Sequence, residues 1–311
     1  MLFSRLCVTA VGVVLLVSIL ASTARTQAAS GNVDRMTHCA HPQVLIAGGT
    51  LQSDGTAATP GAELYNIASG TFSSAEAMIL PRTGHTATTL SDGRVLLSGG
   101  YGPGFTPTAT AEIFDPSTGQ FSATGSMSVA RVRHSATLLN DGTVLIAGGS
   151  PDGLSELSSA EIYDPKTASF KPTGAMAFAR ENQGAALLKY GTVLIAGGDN
   201  NAMFLKSAEL YRPGMHHFVK LPDLAAATSP GNGGGVPSTL LQNGTVVIVG
   251  QSDPAACCPS GVNKGAEIYH PWFRTFVKTK MTCRRSVLVQ LPHSCVTARS
   301  CSREDILSRE S

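Results

Sequence analysis

One short phrase recurs five times at nearly even spacing, and this constrains the chain more than any other feature. Val-Leu-Ile-Ala-Gly-Gly stands at 44–49, 144–149 and 193–198, with variants VLLSGG at 95–100 and VVIVGQ at 246–251. The leading residues Val44, Val95, Val144, Val193 and Val246 are separated by 51, 49, 49 and 53 positions. A period near 50 means one supersecondary unit repeated, each copy too small to cover its own apolar faces and covered by its neighbours. Two further landmarks keep step with the first. Ala-Glu-(Leu/Ile)-(Tyr/Phe) ends at Tyr65, Phe114, Tyr163, Tyr211 and Tyr269, and a phenylalanine follows seven residues later at Phe72, Phe121, Phe170, Phe218 and Phe276. Met-x-x-x-Arg occurs at Met78/Arg82, Met127/Arg131 and Met176/Arg180, with a partial copy at Met281/Arg285.

Local chemistry gives each unit four strands. His134-Ser-Ala-Thr-Leu-Leu runs into Asn140-Asp-Gly142 and then a continuous apolar run to Ala147. A strand, an Asp-Gly turn and a second strand make a hairpin. The second strand carries no polar alternation, as expected of a strand covered on both faces. The paired glycines Gly48/Gly49, Gly99/Gly100, Gly148/Gly149 and Gly197/Gly198 end that strand and admit a close neighbour. Ala160-Glu-Ile-Tyr163, the turn Asp164-Pro-Lys-Thr and Ser169-Phe-Lys171 then form a second hairpin. The expected fold is all-β, with about five four-stranded units packed around an axis as in a β-propeller.

These motifs resemble those of the kelch-repeat family. The shared features are the apolar run closed by Gly-Gly, the Glu-x-Tyr-Asp-Pro element and the aromatic residue seven positions beyond its tyrosine. The resemblance covers residues 44–281 in five copies. It departs from the family where Phe replaces the usual last Trp and where Gly250-Gln251 replaces Gly-Gly. It implies one propeller blade per repeat. The blades are also similar to those of the central domain of galactose oxidase, which brings an enzyme into consideration as the alternative to a non-catalytic protein- or carbohydrate-binding module.

Composition narrows the function classes. Net charge is +2, and charged residues make up only 14% against 42% hydrophobic, so there is neither a basic field for nucleic acid nor a disordered composition. Arg5, the apolar run 8–20 and the small residues near 22–24 and 27–29 read as an export signal. Thirteen residues span only about 20 Å as a helix, short of a bilayer core. The expectation is a signal peptide at 1–29, a short linker at 30–42, the propeller at 43–285 and an atypical tail at 286–311. The product is secreted or periplasmic, with membrane contact only through an uncleaved signal. Beyond the signal lie Cys39, Cys257, Cys258, Cys283, Cys295 and Cys301, an even number compatible with disulfides in an oxidising compartment. The tail lacks the repeat pattern. One expectation for it is a shift of reading frame that replaced later blades; another is that the first unit, with no strand pattern in 36–42, needs a strand from elsewhere.

Shared residues are expected to build the scaffold, and unshared ones the function. Glu63, Glu112, Glu161, Glu209 and Glu267 are read as strand-borne partners of Arg82, Arg131 and Arg180, in pairs that join blade to blade. His85 and His134, with Gln183 in the same place, are read as packed strand-end residues rather than metal ligands. His216 and His217, being adjacent, would diverge on a strand. Asn243-Gly244 is read as a hairpin turn. No catalytic, cofactor or metal residue is assigned, and no cofactor is expected. The unknown protein or glycan partner is expected at the loops after each Gly-Gly: 50–60, 101–108, 150–158, 199–206 and 252–264.

Overall fold

The computed structural model describes residues 17–20, 43–50, 57–200, 203–228, 235–251 and 265–279. Alternating apolar residues and Asp-Gly or Asn-Gly turns produce five antiparallel sheets of four strands each. Sheet one comprises β1 (Val17–Leu20), β2 (Gln43–Ala47), β3 (Ala62–Asn66) and β4 (Thr71–Ser74). Sheet two comprises β5 (Thr86–Thr89), β6 (Val95–Ser98), β7 (Ala111–Asp115) and β8 (Gln120–Ala123). Sheet three follows with β9 (Ser135–Leu138), β10 (Val144–Ala147), β11 (Ala160–Asp164) and β12 (Ser169–Pro172). Sheet four runs from β13 (Gly184–Leu187) and β14 (Val193–Ala196), past a small ribbon of β15 (Asp199–Asn200) and β16 (Met203–Phe204), to β17 (Ala208–Arg212) and β18 (His217–Lys220). Sheet five holds β19 (Ser238–Leu240), β20 (Val246–Gln251), β21 (Gly265–His270) and β22 (Thr275–Lys278). Among the described residues there is no α-helix, only short 3-10 turns at Pro103–Phe105 and Pro213–Met215.

Within every sheet the strands lie in chain order, with the ribbon left aside. The first strands of the sheets neighbour one another in the sequence β1, β5, β9, β13, β19. That order sets the first strands inward and leaves the fourth strands outward; β4 is exposed along its whole length. The second strands β6, β10 and β14 are buried at every position. Their period of two explains why all their residues but Ser98 are apolar. Val95 and Leu97 pack with Leu45, Leu64 and Met78 of the preceding unit, whereas Leu96 packs with Val144, Ile146 and Tyr163 of the next. Leu145 and Ala147 in turn meet Val193 and Ile195, and Leu194 and Ala196 meet Val246 and Ile248. The core is therefore a series of apolar layers between successive sheets, in which sheets two, three and four each cover a neighbour on both faces.

The hairpins follow the turn chemistry. Gly142 takes φ +87 while Asp141 Oδ1 accepts the Thr143 N–H at 3.0 Å, and the Leu139 N–H reaches Thr143 O at 2.8 Å. Gly244 repeats this with φ +88 beside Asn243, as the turn reading requires. Sheet one departs from expectation. Its inner position is filled by β1, paired antiparallel with β2 from Val17 opposite Ile46 to Leu20 opposite Gln43. This strand comes from the apolar run read as an export signal, whose composition suits an inner strand as well as a signal core.

Candidate functional site

The recurrent arginines tie successive sheets together by a division of labour. Arg82 lies in the link between sheets one and two. Its carbonyl accepts the Gly49 N–H of sheet one at 2.8 Å. Its guanidinium turns the other way, donating to Gly99 O and Thr110 O at 3.0 Å each and to Glu112 Oε1 at 2.9 Å in sheet two. Arg131 repeats the pattern with Gly100, Gly148 O, Ser159 O and Glu161. Arg180 does so with Gly149, Gly197 O, Ser207 O and Glu209. All three side chains are fully buried. The glutamates also accept backbone N–H groups of the link, from Ile79 and Leu80 to Glu112, Ser128 to Glu161, and Ala177 to Glu209. The blade-to-blade role expected of the pair thus belongs to the arginine as a whole, while the ion pair itself is within one unit.

The ends of the series differ. Glu63 is exposed in sheet one, and among the described residues no arginine reaches it. Glu267 is buried and accepts the Ala225 and Ala226 N–H groups at 3.1 Å. Thr228 stands in the arginine position there, and its hydroxyl accepts the Gly198 N–H. The first glycine of each pair is one of the places where the sheets approach closely. A Cβ on Gly148 would lie 2.5 Å from Arg180 O, and one on Gly99 would lie 2.3 Å from Arg131 O.

The aromatic landmarks are a cross-strand pair. Tyr163 is directly opposite Phe170 between β11 and β12, with ring centroids 4.7 Å apart. Tyr65–Phe72, Phe114–Phe121, Tyr211–Phe218 and Tyr269–Phe276 repeat this at 4.8–4.9 Å. The Tyr163 and Tyr211 hydroxyls bond Thr124 and Thr173 of the preceding unit at 2.7 Å. His134 Nε2 sits 2.9 Å from Thr86 Oγ1 and 3.2 Å from Ser98 Oγ, and Gln183 Nε2 donates to Ser135 Oγ and Ala147 O. Burial, with the Arg131 charge adding to it, lowers the pKa of His134 to about 3. Burial and Arg82 lower that of His85 to about 4. These are packed neutral imidazoles between sheets. His217 opens β18, while His216 precedes it in a left-handed turn at φ 54.

What differs between units gathers where the Gly-Gly segments meet the links. Tyr101 bridges Thr83, Ser150 bridges Val132, and Asp199 bridges Glu181, so each residue after Gly-Gly is held against a link. Arg133 Nη1 donates to Glu181 Oε1 at 2.7 Å, and its guanidinium lies over the Tyr101 ring, 5.9 Å from the centroid. Asn182 Nδ2 reaches Asp199 Oδ1 at 3.0 Å and Glu181 Oε1 at 3.3 Å. Tyr101 stacks on Phe105 at 4.0 Å, and the 150–158 loop covers the tyrosine at Gly153. Burial pushes the Glu181 and Asp199 carboxyls up, against the pull of Arg133 on the first and of the Asn182 hydrogen bond on the second. Phe105, Leu154, Met203 and Phe204 stand exposed on three of these loops.

Two members of this cluster are conformationally strained. Gly84, Arg133 and Asn182 occupy one position, two residues past the recurrent arginine, with φ 64, 55 and 55. The glycine adopts this region freely, whereas an arginine or asparagine there costs about 1 kcal/mol or more. Tyr101 and Asp199 open loops that the repeat pattern singles out. Arg133, Glu181 and Asn182 are not singled out by it, and the signal for them is a glycine position filled by larger side chains in other copies.

Among the described residues, no group of three or more His, Cys, Asp or Glu is arranged to hold a metal ion, and no helix is long and apolar enough to cross a membrane. Cys39, Cys257, Cys258, Cys283, Cys295 and Cys301, and with them any disulfide, lie outside the described residues, as do segment 286–311 and the loop 252–264.

No family model matches the chain, and no curated protein sequence matches it. Among solved structures 394 chains match, which marks a widely used fold and so leaves function to the site. One of them, the structure of YjhT, aligns with a TM-score of 0.60 at 13% identity over 76% of this chain and 81% of that one. At that identity the likeness concerns the all-β fold.

Proposed function

We propose that the five sheets are blades of a kelch-type β-propeller, and that the chain is an exported, non-catalytic recognition module binding a protein or a glycan through the loops after Gly-Gly. The observation that carries this reading is the Arg133–Glu181–Asn182–Asp199 cluster beside Tyr101. It is built from residues the repeats do not share, on two strained backbone positions, where three loops converge. Arg82, Arg131 and Arg180 and the glutamates Glu112, Glu161 and Glu209 are engaged in joints between sheets. A polar centre flanked by exposed Phe105, Leu154 and Phe204 suits a surface that is both wet and apolar.

The test uses the purified full chain on an immobilised glycan array and on a peptide array. Selective retention on one of them is expected, lost in Arg133→Ala while the unfolding midpoint stays within a few degrees. Retention equal in wild type and variant would move the site elsewhere. Hydrogen peroxide release from a sugar alcohol by the copper-supplied chain would replace the binding reading with the oxidase alternative.

A further inference from the structure

Four antiparallel strands in chain order place both hairpin turns of a sheet at one end, and the middle connection with its Gly-Gly loop at the other. The turn end is polarised in charge. In sheets two and three its turns carry Asp92, Asp115, Asp141 and Asp164 beside Arg94 and Lys166. The corresponding turns of sheets four and five, 188–192, 212–217, 241–245 and 270–274, hold Lys189, Arg212 and Arg274 and no acidic residue. They also carry four large apolar side chains, Tyr190, Met215, Trp272 and Phe273, which are 59–77% exposed. Other units are polar at these places. Asp92 and Asp141 stand where Tyr190 does, and Ser117-Thr118 and Lys166-Thr167 where Trp272-Phe273 do.

The patch runs from one sheet to the next. Tyr190 of sheet four and Trp272 of sheet five hold their ring centroids 5.2 Å apart at 57°, and Lys189 Nζ donates to Gln242 O at 2.7 Å. Gly244 lies between them, where a Cβ would stand 3.2 Å from Lys189 Cδ and 3.5 Å from Trp272 Cη2. We propose that this end of sheets four and five docks on a lipid bilayer carrying anionic headgroups. Lys189, Arg212 and Arg274 complement the negative surface potential of such a bilayer. Tyr190 and Trp272 have the amphipathic rings that settle at headgroup depth, and Met215 and Phe273 gain by leaving water.

A glycan fits the same residues less well. The tilt between the Tyr190 and Trp272 rings leaves no common flat face for a sugar, and neither Met215 nor Phe273 offers a side-chain group that hydrogen-bonds strongly. A bilayer needs neither, only apolar tips and cations at one end of the molecule. The acidic turns of sheets two and three are repelled by that surface, so the chain docks tilted onto sheets four and five. The patch lies at the opposite end of the sheets from the loops after Gly-Gly and stands independently of the recognition role given to them.

Trp272 is the only tryptophan of the chain, so its fluorescence reports on the patch alone. The full chain is mixed with vesicles of equimolar phosphatidylcholine and phosphatidylglycerol, and with vesicles of phosphatidylcholine only. On the mixed vesicles Trp272 emission is expected to shift to the blue and to be quenched by lipid brominated on its acyl chains. Both effects should be weak on phosphatidylcholine and fade as salt is raised. Lys189→Gln and Arg274→Gln should each weaken partitioning about fivefold, and Phe273→Ser roughly tenfold or more. Lys171→Gln, on the exposed β12 outside the patch, should change little. An unshifted Trp272 on the mixed vesicles overturns the proposal even if the chain sediments with them, since the apolar run 8–20 can hold lipid by itself. Wild-type partitioning by Phe273→Ser overturns it as well. A shift produced by soluble polygalacturonate and not by vesicles overturns it in favour of an acidic glycan.

Discussion

Alanine at Gly99 probes a close approach between sheets. Gly99 has φ +63, and a side chain there incurs the left-handed penalty of about 1–2 kcal/mol. Its Cβ would also stand 2.3 Å from Arg131 O, 2.9 Å from His134 Cε1 and 3.1 Å from Met127 Cε. An ordinary carbon–oxygen contact is nearer 3.3 Å, so the Arg131 carbonyl must retreat by about 1 Å. That carbonyl accepts the Gly100 N–H at 2.8 Å, and its displacement strains or breaks a buried hydrogen bond at about 1–3 kcal/mol. The expected total for Gly99→Ala is about 2–5 kcal/mol. Gly119, in the outer turn of the same sheet, is the internal control, with φ +74 and nothing within 4 Å of where a Cβ would stand. Gly119→Ala should cost only the backbone term, about 1–2 kcal/mol. Urea unfolding of both variants gives the comparison directly, provided the m-values agree. Equal losses would show that backbone conformation alone selects these glycines, and the close-approach account of the joint would fail.

Acid should destabilise the protein before its carboxylates titrate. Unfolded histidines take up protons near pH 6.5, while His85 and His134 resist until about 4 and about 3, so stability falls as pH drops below 6.5; His134→Gln, copying Gln183, should flatten a midpoint-against-pH series. Glu161→Ala leaves Arg131 buried without its carboxylate and should cost about 3–5 kcal/mol in urea unfolding, whereas replacing both partners by Met and Leu should recover much of the loss. Arg133→Gly relieves the left-handed strain as Gly84 does but leaves the buried Glu181 carboxylate without its guanidinium, so its unfolding midpoint should fall by only a few degrees while array binding is lost. A fall in stability with binding intact would contradict the separation of scaffold from site.

The repeat made the sheets legible because its landmarks are fixed by local geometry. Seven residues from Tyr163 to Phe170 is the separation that a four-residue turn imposes on two residues facing each other across a hairpin. The apolar run of β10 was legible as doubly covered because no polar residue interrupts it, and Leu145 and Ile146 do face different sheets. The Arg–Glu association was legible from recurrence, yet its direction was not, since the two ends of Arg131 serve different sheets and sequence does not separate a backbone carbonyl from a side chain. The cluster at Arg133 was hidden for the opposite reason. Glu181 lies 48 positions away, and neither residue recurs. Only the glycine at the equivalent Gly84 hints that something other than packing sets the residue there. The role of Val17–Leu20 was hidden because a short apolar run satisfies a signal core and an inner strand alike.

Because every recurrent arginine faces backward with its carbonyl and forward with its side chain, the structural joint and the sequence period are out of phase. A cassette cut anywhere and rejoined one period later brings an equivalent arginine to an equivalent seat, as Arg82, Arg131 and Arg180 already demonstrate with the same partners. Genes for such chains can lengthen or shorten by unequal crossing-over at any point in the period without creating a mismatched junction. Variation in the number of units among descendants of this sequence would then be inherited with little disruption, while a change of even one residue within the link would be felt at two sheets at once.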